Sequence, residues 1–275
     1  MKYLNNFSFQ LIKRRSKKLG IRVEKKDEVM TIIIDNPEVK NAVDGPTAVE
    51  LVNAFRDFEQ DENMKVAVLW GDHGCFCAGA NLKAITQGRG NRFEKDGDGP
   101  MGPTRMLLSK PSIAAVAGYA VAGGLELAIW CDLRVVERDA YFGVFSRRFG
   151  VPLIDGGTIR LPRLIGLSRA LDMILIGRPI NADEALQFGL ANRVVDVGQS
   201  RPEAEKLARQ IAKFPQTCMR GDRLSAYEQF GMTLKEALEN EYYHGVKSIQ
   251  SGETFDGATR FTKGEGRHGK FKNVD

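Results

Sequence analysis

Two apolar bursts flanking one amphipathic segment constrain the fold of this chain more than any other feature. VMTIII (29–34) and KVAVLW (65–70) are rich in β-branched residues, which predicts strands. Between them, PTAVELVNAFRDFEQ carries apolar residues at steps of three and four, which predicts an amphipathic helix. A strand, a helix and a strand in this order predict a right-handed crossover between parallel strands. Further bursts at SIAAVA (112–117) and LRVV (133–136) predict that such strand–helix turns are stacked.

The second part of the chain has a different pattern. From about residue 165, helix-forming residues recur at helical spacing almost to the end. We therefore predict an α/β core at 27–200, followed by a helical region at 201–275 that is a candidate for packing on another subunit. The stretch 86–104 is rich in glycine, proline and charge, which predicts a mobile surface loop.

The basic character of the protein is concentrated at its N terminus. Residues 1–26 hold nine lysines and arginines against one glutamate, whereas the whole chain has a net charge of +5, so the remainder is acidic. This composition fits a mitochondrial transit peptide, a tether to nucleic acid or a membrane surface, or an unstructured extension. We expect the mitochondrial matrix if the extension is a transit peptide and the cytoplasm otherwise.

Several classes of protein are disfavoured by the sequence. No apolar run approaches the ~20 residues that a transmembrane helix requires, so we expect no membrane span. The four cysteines form no Cys-x-x-Cys pair, which favours reduced thiols. The three histidines show no metal-ligand spacing, so we expect no metal site.

Two segments of small residues are candidates for chemistry. In GYAVAGGLELA (118–128), the glycines precede helix formers, so backbone N–H groups at a helix start are open to an oxyanion. The lone carboxylate Glu126 falls in the first turn of that helix. In GCFCAGANL (74–82), a second small-residue turn follows a strand, and two such turns can each donate one N–H to the same carbonyl oxygen. Structural alternatives remain open: the helix dipole alone favours a glutamate there, and the small residues also suit close packing around a buried thiol pair.

Five motifs together resemble the crotonase (enoyl-CoA hydratase/isomerase) superfamily over residues 23–275. They are DNPEVKNAVD (35–44), FCAGANL (76–82), AVAGYAVAGGLELAIWCD (115–132), FGVPLIDGGTIRLPRLIG (149–166) and ADEALQFGLANRVV (182–195). The resemblance implies an α/β spiral core of stacked ββα repeats with a helical C-terminal oligomerisation region, assembled as a homotrimer or a dimer of trimers. It also implies an enzyme of fatty acid metabolism that stabilises the enolate of an acyl-CoA thioester. No separate cofactor is expected, because coenzyme A is part of the substrate.

The resemblance also assigns roles to individual residues. The two oxyanion-hole donors correspond to the backbone N–H groups of Ala80 and Gly123, and the catalytic carboxylate corresponds to Glu126. Partial burial of this acid is expected to raise its pKa towards working pH. The contacts to coenzyme A correspond to Ala78, Ala80, Leu82 and Phe261, the last from a neighbouring subunit.

One departure from the family pattern bears on the reaction. Hydratases carry a second glutamate where this chain has Ser146, and a serine does not shuttle protons near neutral pH without help. Asp155, in LIDGGTIRLP, is our candidate for the second acid/base, as in dienoyl-CoA isomerases; a helix-capping role is the structural alternative. The leading hypothesis is therefore an enoyl-CoA hydratase or an enoyl- or dienoyl-CoA isomerase. A thioester hydrolase or decarboxylase of the same fold, and a non-catalytic acyl-CoA or RNA-binding protein, are the alternatives; DNA is not an expected partner.

Overall fold

The main sheet has six strands and a smaller sheet has three. The structure, a computed structural model, describes residues 20–266. The strands are β1 (Gly20–Lys26), β2 (Val29–Asp35), β3 (Val66–Gly71), β4 (Ser112–Val116), β5 (Tyr119–Val121), β6 (Leu133–Glu137), β7 (Tyr141–Gly143), β8 (Ile180–Asn181) and β9 (Arg193–Val195). The main sheet has the order β1-β2-β3-β4-β6-β9, and the small sheet has the order β5-β7-β8. Pairing in the main sheet is parallel except between β1 and β2.

The helices surround the main sheet and form the last part of the described chain. They are α1 (Gly45–Gln60), α2 (Leu82–Ile85), α3 (Gly123–Trp130), α4 (Gly157–Ile165), α5 (Leu167–Ile176), α6 (Ala182–Phe188), α7 (Ser200–Ala212), α8 (Gln216–Glu228), α9 (Leu234–Gln250) and α10 (Glu253–Thr262). The β2–α1–β3 crossover is the strand–helix–strand unit that the apolar bursts at 29–34 and 65–70 predict. Val29 lies opposite Val66 in the parallel register.

Helix α1 illustrates how the sequence determines an element. The Asp44 side chain caps its N terminus by accepting a hydrogen bond from Thr47 N at 3.1 Å, and a proline stands in the first turn, where its missing N–H costs nothing. Leu51, Phe55 and Phe58 are fully buried on one face against the sheet. The amphipathic pattern therefore positions α1 on one side of the sheet, as predicted.

The main sheet is covered on both faces. All seven residues of β2 are buried, which is the pattern of a parallel sheet with a layer on each side. The larger core cluster lies on the side of α1 and α3, and the smaller one joins sheet residues to Ala204, Leu207 and Ala208 of α7. Helix α7 therefore packs into the core, whereas the sequence pattern predicts that the helical region after the core begins at residue 201.

The N-terminal boundary of the core was wrong. The predicted basic extension, 1–26, overlaps β1, which pairs along its whole length with β2. Two of the basic side chains are used in the fold: Arg22 pairs with Asp35 at 2.9 Å, and Lys25 pairs with Asp61 at 2.7 Å. These charges therefore belong to an edge strand. Residues 1–19, where the rest of the predicted transit peptide falls, lie outside the described residues.

The predicted surface loop 86–104 was also only partly correct. It has little regular structure, but Asn91 and Met101 are buried, and Asn91 Nδ2 donates to the carbonyl oxygens of Val43 and Pro100 at 3.2 and 2.8 Å. The buried part lines the cavity described below. Across residues 20–266, no helix combines the length and the apolar composition that a membrane span needs.

Candidate active site

A short backbone ladder brings the two small-residue turns together. Cys77 N donates to Tyr119 O at 2.9 Å, and Val121 N donates to Cys77 O at 3.1 Å, so the two segments run parallel. The turn at 78–80 therefore lies directly beside the turn at 122–123. The contact joins parts of the chain that are some forty residues apart in sequence.

Glycine is required where these turns meet. Gly79 has φ +96°, and a Cβ atom there would lie 2.9 Å from Ala122 Cβ and 3.1 Å from Gly123 N. A Cβ atom at Gly124 would clash with the carbonyl oxygen of Cys77. The absence of side chains therefore permits the close approach and leaves the backbone amides uncovered.

The amides of Ala80 and Gly123 are both available. Gly123 is the first residue of α3, so its N–H has no partner inside the helix. Within residues 20–266, neither amide donates a hydrogen bond. The preceding residue, Ala122, has φ +53° and ψ −125°, a conformation that costs a non-glycine residue roughly 1–3 kcal/mol. Its own N–H donates to Gly143 O at 2.8 Å, which helps to hold this conformation.

Glu126 lies in the first turn of α3 and is only 2% exposed. Its Oε1 accepts hydrogen bonds from Asp155 N at 2.9 Å and from Gly157 N at 2.8 Å. Burial raises the pKa of this carboxyl from 4.5 to about 7, with a further increase from the neighbouring Asp155 charge, whereas the two backbone donors lower it. The result is a fixed carboxyl group that changes protonation near neutral pH.

Asp155 is a second buried carboxyl group beside Glu126. Its Oδ1 accepts hydrogen bonds from Met101 N at 2.9 Å and from the Thr104 hydroxyl, and burial raises its pKa. Arg160 donates to the carbonyl oxygens of Asp155 and Thr104, at 2.9 and 2.8 Å. This guanidinium therefore ties the Asp155 segment to the loop opposite.

One cavity of about 160 Å³ brings most of the sequence-predicted residues together. Its lining includes Ala78, Ala80, Leu82, Gly123, Glu126 and Asp155. Phe261 does not line it: this residue lies on α10 with 60% of its surface exposed. The expected contact of Phe261 with adenine from another subunit stays a prediction.

Sequence reasoning missed part of the cavity wall. Met101 and Phe93 come from the segment predicted as a surface loop, and Phe145 and Phe149 flank Ser146. A hydrophobic residue in a glycine- and proline-rich run, as in GPMGP, was the available signal. Ser146 also lines the cavity; it is 7% exposed, and its Oγ has no hydrogen-bond partner in the described part of the chain.

A cluster of Asp35, Asp72 and His73 is the single group in the described residues with a metal-like arrangement. Arg22 pairs with both aspartates, with Nε 2.9 Å from Asp35, so its positive charge balances these carboxylates. These ion pairs tie β1 to β2 and to the end of β3.

Comparison with known proteins identifies the family of the chain. Residues 24–273 match the family model described as enoyl-CoA hydratase/isomerase. A carnitinyl-CoA dehydratase of Proteus mirabilis is 36% identical over 70% of this chain and 74% of its own length. An enoyl-CoA hydratase of Mycobacterium tuberculosis is 32% identical over 91% of this chain and 96% of its own.

Solved structures give the same result for the fold. The crystal structure of an enoyl-CoA hydratase from Mycobacterium tuberculosis H37Rv superposes with a TM-score of 0.85 and 32% identity, covering 90% of this chain and 96% of that one. The expected mixed α/β crotonase fold is thus confirmed. The chain belongs to the enoyl-CoA hydratase/isomerase family, the crotonase superfamily, and is an acyl-CoA enzyme of that family.

Proposed function

We propose that this enzyme adds water reversibly across the double bond of a 2-enoyl-CoA thioester. The observation that carries the proposal is the position of Glu126. Its carboxyl group is buried, has a pKa of about 7, and lines the same small cavity as the uncovered amides of Ala80 and Gly123. A proton-transfer group thus lies beside a pair of oxyanion donors.

The two amides are proposed to bind the thioester oxygen. Charge builds up on this oxygen when the substrate becomes an enolate, and fixed N–H donors in a water-poor site stabilise that charge without reorganising. The Gly123 amide contributes further as the start of α3, because a helix N terminus carries partial positive charge. The neighbouring residues Ala78 and Leu82 are proposed to contact coenzyme A.

The carboxyl groups are proposed to divide the proton transfers. Ionised Glu126 takes a proton from the attacking water, whose oxygen forms the bond to Cβ. Burial raises the pKa of both carboxyl groups, so the pair is proposed to hold one proton between them; in the reacting state that proton lies on Asp155, which delivers it to Cα as the enolate collapses. Exchange between the two groups then restores their starting protonation. The backbone donors to Oε1 keep Glu126 in one orientation and leave Oε2 for the water.

Isomerisation of the double bond is the second candidate. The observation in its favour is Ser146, which lines the cavity where hydratases have their second glutamate. A reaction that moves one proton from one carbon to another needs fewer acid/base groups than hydration does. In this case Asp155 would move the proton, and Glu126 would hold the Asp155 backbone in place by accepting the hydrogen bond from its N–H.

A homotrimer or dimer of trimers is also proposed. Large apolar side chains on α9 and α10 are exposed in the single chain, among them Leu234 and Phe255 at 76% each. Exposed apolar surface of this kind marks contact sites between proteins. The same assembly would bring Phe261 to the coenzyme A of a neighbouring subunit.

The function is tested by two substrates and two variants. With crotonyl-CoA, hydration removes the ultraviolet absorbance of the conjugated thioester; with a 3-enoyl-CoA, isomerisation creates it. We expect Glu126→Gln to lower kcat by about 10²–10⁴-fold, the usual contribution of a positioned acid/base. Glu241→Gln, on the exposed surface of α9, is the control and should retain activity. Equal turnover by Glu126→Gln and the control would contradict the proposal.

A further inference from the structure

A second cavity adjoins the first one. It measures about 500 Å³, and it shares Ile154 and Asp155 with the reaction cavity as a common wall. Pockets for small ligands usually measure roughly 300–1,000 Å³, so the reaction cavity of about 160 Å³ is small and the second cavity is of ordinary size. The first has room for the reacting end of an acyl group, and a longer chain needs further space.

The second cavity carries a net positive charge. Four arginines and two aspartates line it. One arginine already forms an ion pair within the lining: Arg223 Nε lies 2.8 Å from Asp132. Arg160 donates to backbone carbonyls, and Arg163 lies 4.0 Å from the centre of the Phe230 ring. Among the described residues, no carboxylate forms an ion pair with Arg160 or Arg163.

Apart from Thr104 and Ser112, the remaining walls are largely apolar. The polar tips of two aromatic residues are already engaged, because Tyr227 donates to Asp132 at 2.7 Å and Trp130 Nε1 donates to Met106 O at 2.9 Å. Both therefore present carbon surface to the cavity, as do Ile159 and Leu164. A hydrocarbon chain fits such walls, and an anion at its end fits the guanidinium of Arg163, which has no carboxylate partner among the described residues.

We propose that the second cavity binds the distal end of an acyl chain that terminates in a carboxylate, with Arg163 as its principal partner. The inference rests on the proposed function, because it assumes that the thioester lies in the first cavity. The preferred substrates are then monothioesters of dicarboxylic acids, whose free carboxylate meets the arginines beyond Asp155. Arg163 is a specificity-determining residue in this account, because it contacts the substrate far from the reacting atoms.

The test is a comparison of dissociation constants measured by calorimetry. The probes are saturated acyl-CoA thioesters of increasing chain length, each with a terminal carboxylate or a terminal methyl group. We expect the wild-type protein to prefer the carboxylate by about tenfold or more once the chain is long enough, because charge-assisted hydrogen bonds are the strong ones. Arg163→Gln should reduce this preference towards unity, and Arg163→Glu should reverse it.

A matched control is Arg169→Gln. This arginine also stacks on an aromatic ring, that of Phe188 at 4.7 Å, but lies on α5 away from the cavity lining. It should leave the preference unchanged. Equal affinity for both chain ends in the wild-type protein, or an unchanged preference in both Arg163 variants, would overturn the inference. Because saturated thioesters need no turnover, this failure is distinct from absence of crotonyl-CoA hydration, which concerns the proposed function.

Discussion

Replacement of Glu126 by glutamine is expected to stabilise the folded protein at neutral and alkaline pH while lowering kcat. Burial raises the pKa of this carboxyl from 4.5 to about 7, so the folded state keeps a proton that the unfolded chain loses. The stability that this protonated carboxyl contributes to the wild-type protein is complete below about pH 4.5 and is lost as the pH rises to about 7. The difference between a pKa of 4.5 in the unfolded chain and about 7 in the folded protein, at about 1.4 kcal/mol per pH unit, corresponds to about 3 kcal/mol in the wild-type free energy of unfolding.

Glutamine avoids this loss because it is nearly isosteric and uncharged. Its amide oxygen still accepts from Asp155 N and Gly157 N, as Glu126 Oε1 does. The variant should therefore match the wild type near pH 4.5 and exceed its unfolding free energy by about 3 kcal/mol at pH 8. Urea unfolding at both pH values, at one fixed protein concentration, measures the difference.

Glu241→Gln serves as the control here as well. Its side chain is exposed on α9, so we expect less than about 0.5 kcal/mol of change at either pH. If Glu126→Gln is no more stable than the wild type at pH 8, the carboxylate is not penalised by burial. The environment of Glu126 would then not prepare it for proton transfer near neutral pH.

Three further variants test the rest of the site and the core. Gly79→Ala should lower kcat more than it raises KM, because the added Cβ would lie 3.1 Å from Gly123 N and displace an oxyanion donor. Steady-state kinetics with crotonyl-CoA measures both constants, and wild-type values for the variant would contradict the prediction. Asp155→Asn should keep the Thr104 hydrogen bond yet lower kcat by about 10²-fold or more, and a smaller loss would leave Asp155 a structural role. Arg134→Met should lower the free energy of unfolding, measured in urea, by at least about 3 kcal/mol. The fully buried guanidinium donates to several backbone carbonyls, which would lose their partner. A loss under about 1 kcal/mol would refute this prediction.

The core and one half of the site follow from local patterns. Strand β2 and helix α1 match their predicted positions within one residue, because burial on both faces leaves a continuous apolar run and burial on one face leaves a helical period. The small-residue turns and the acid at Glu126 were visible for a similar reason. A carboxylate such as Glu126 is unexpected within an apolar run, and the glycine turn before it explains its presence as part of an oxyanion site.

The other half of the site depends on contacts between distant residues. The hydrogen bond from Met101 N to Asp155 joins positions 54 residues apart, and no periodic pattern marks either position. The basic residues of β1 misled the prediction because composition does not reveal pairing partners: Arg22 meets Asp35 and Asp72 only through the sheet. The second cavity likewise forms where α4 and α8 approach each other, which the sequence does not specify.

The most direct test of the central claim is the infrared spectrum of a bound thioester. The amides of Ala80 and Gly123 are proposed to donate to one carbonyl oxygen. A saturated acyl-CoA labelled with ¹³C at the thioester carbon should then show a carbonyl band at lower frequency when bound than when free, because two hydrogen bonds weaken that C=O bond. Gly79→Ala should diminish the change. A band at the frequency of the free thioester, with binding confirmed by calorimetry, would contradict the account.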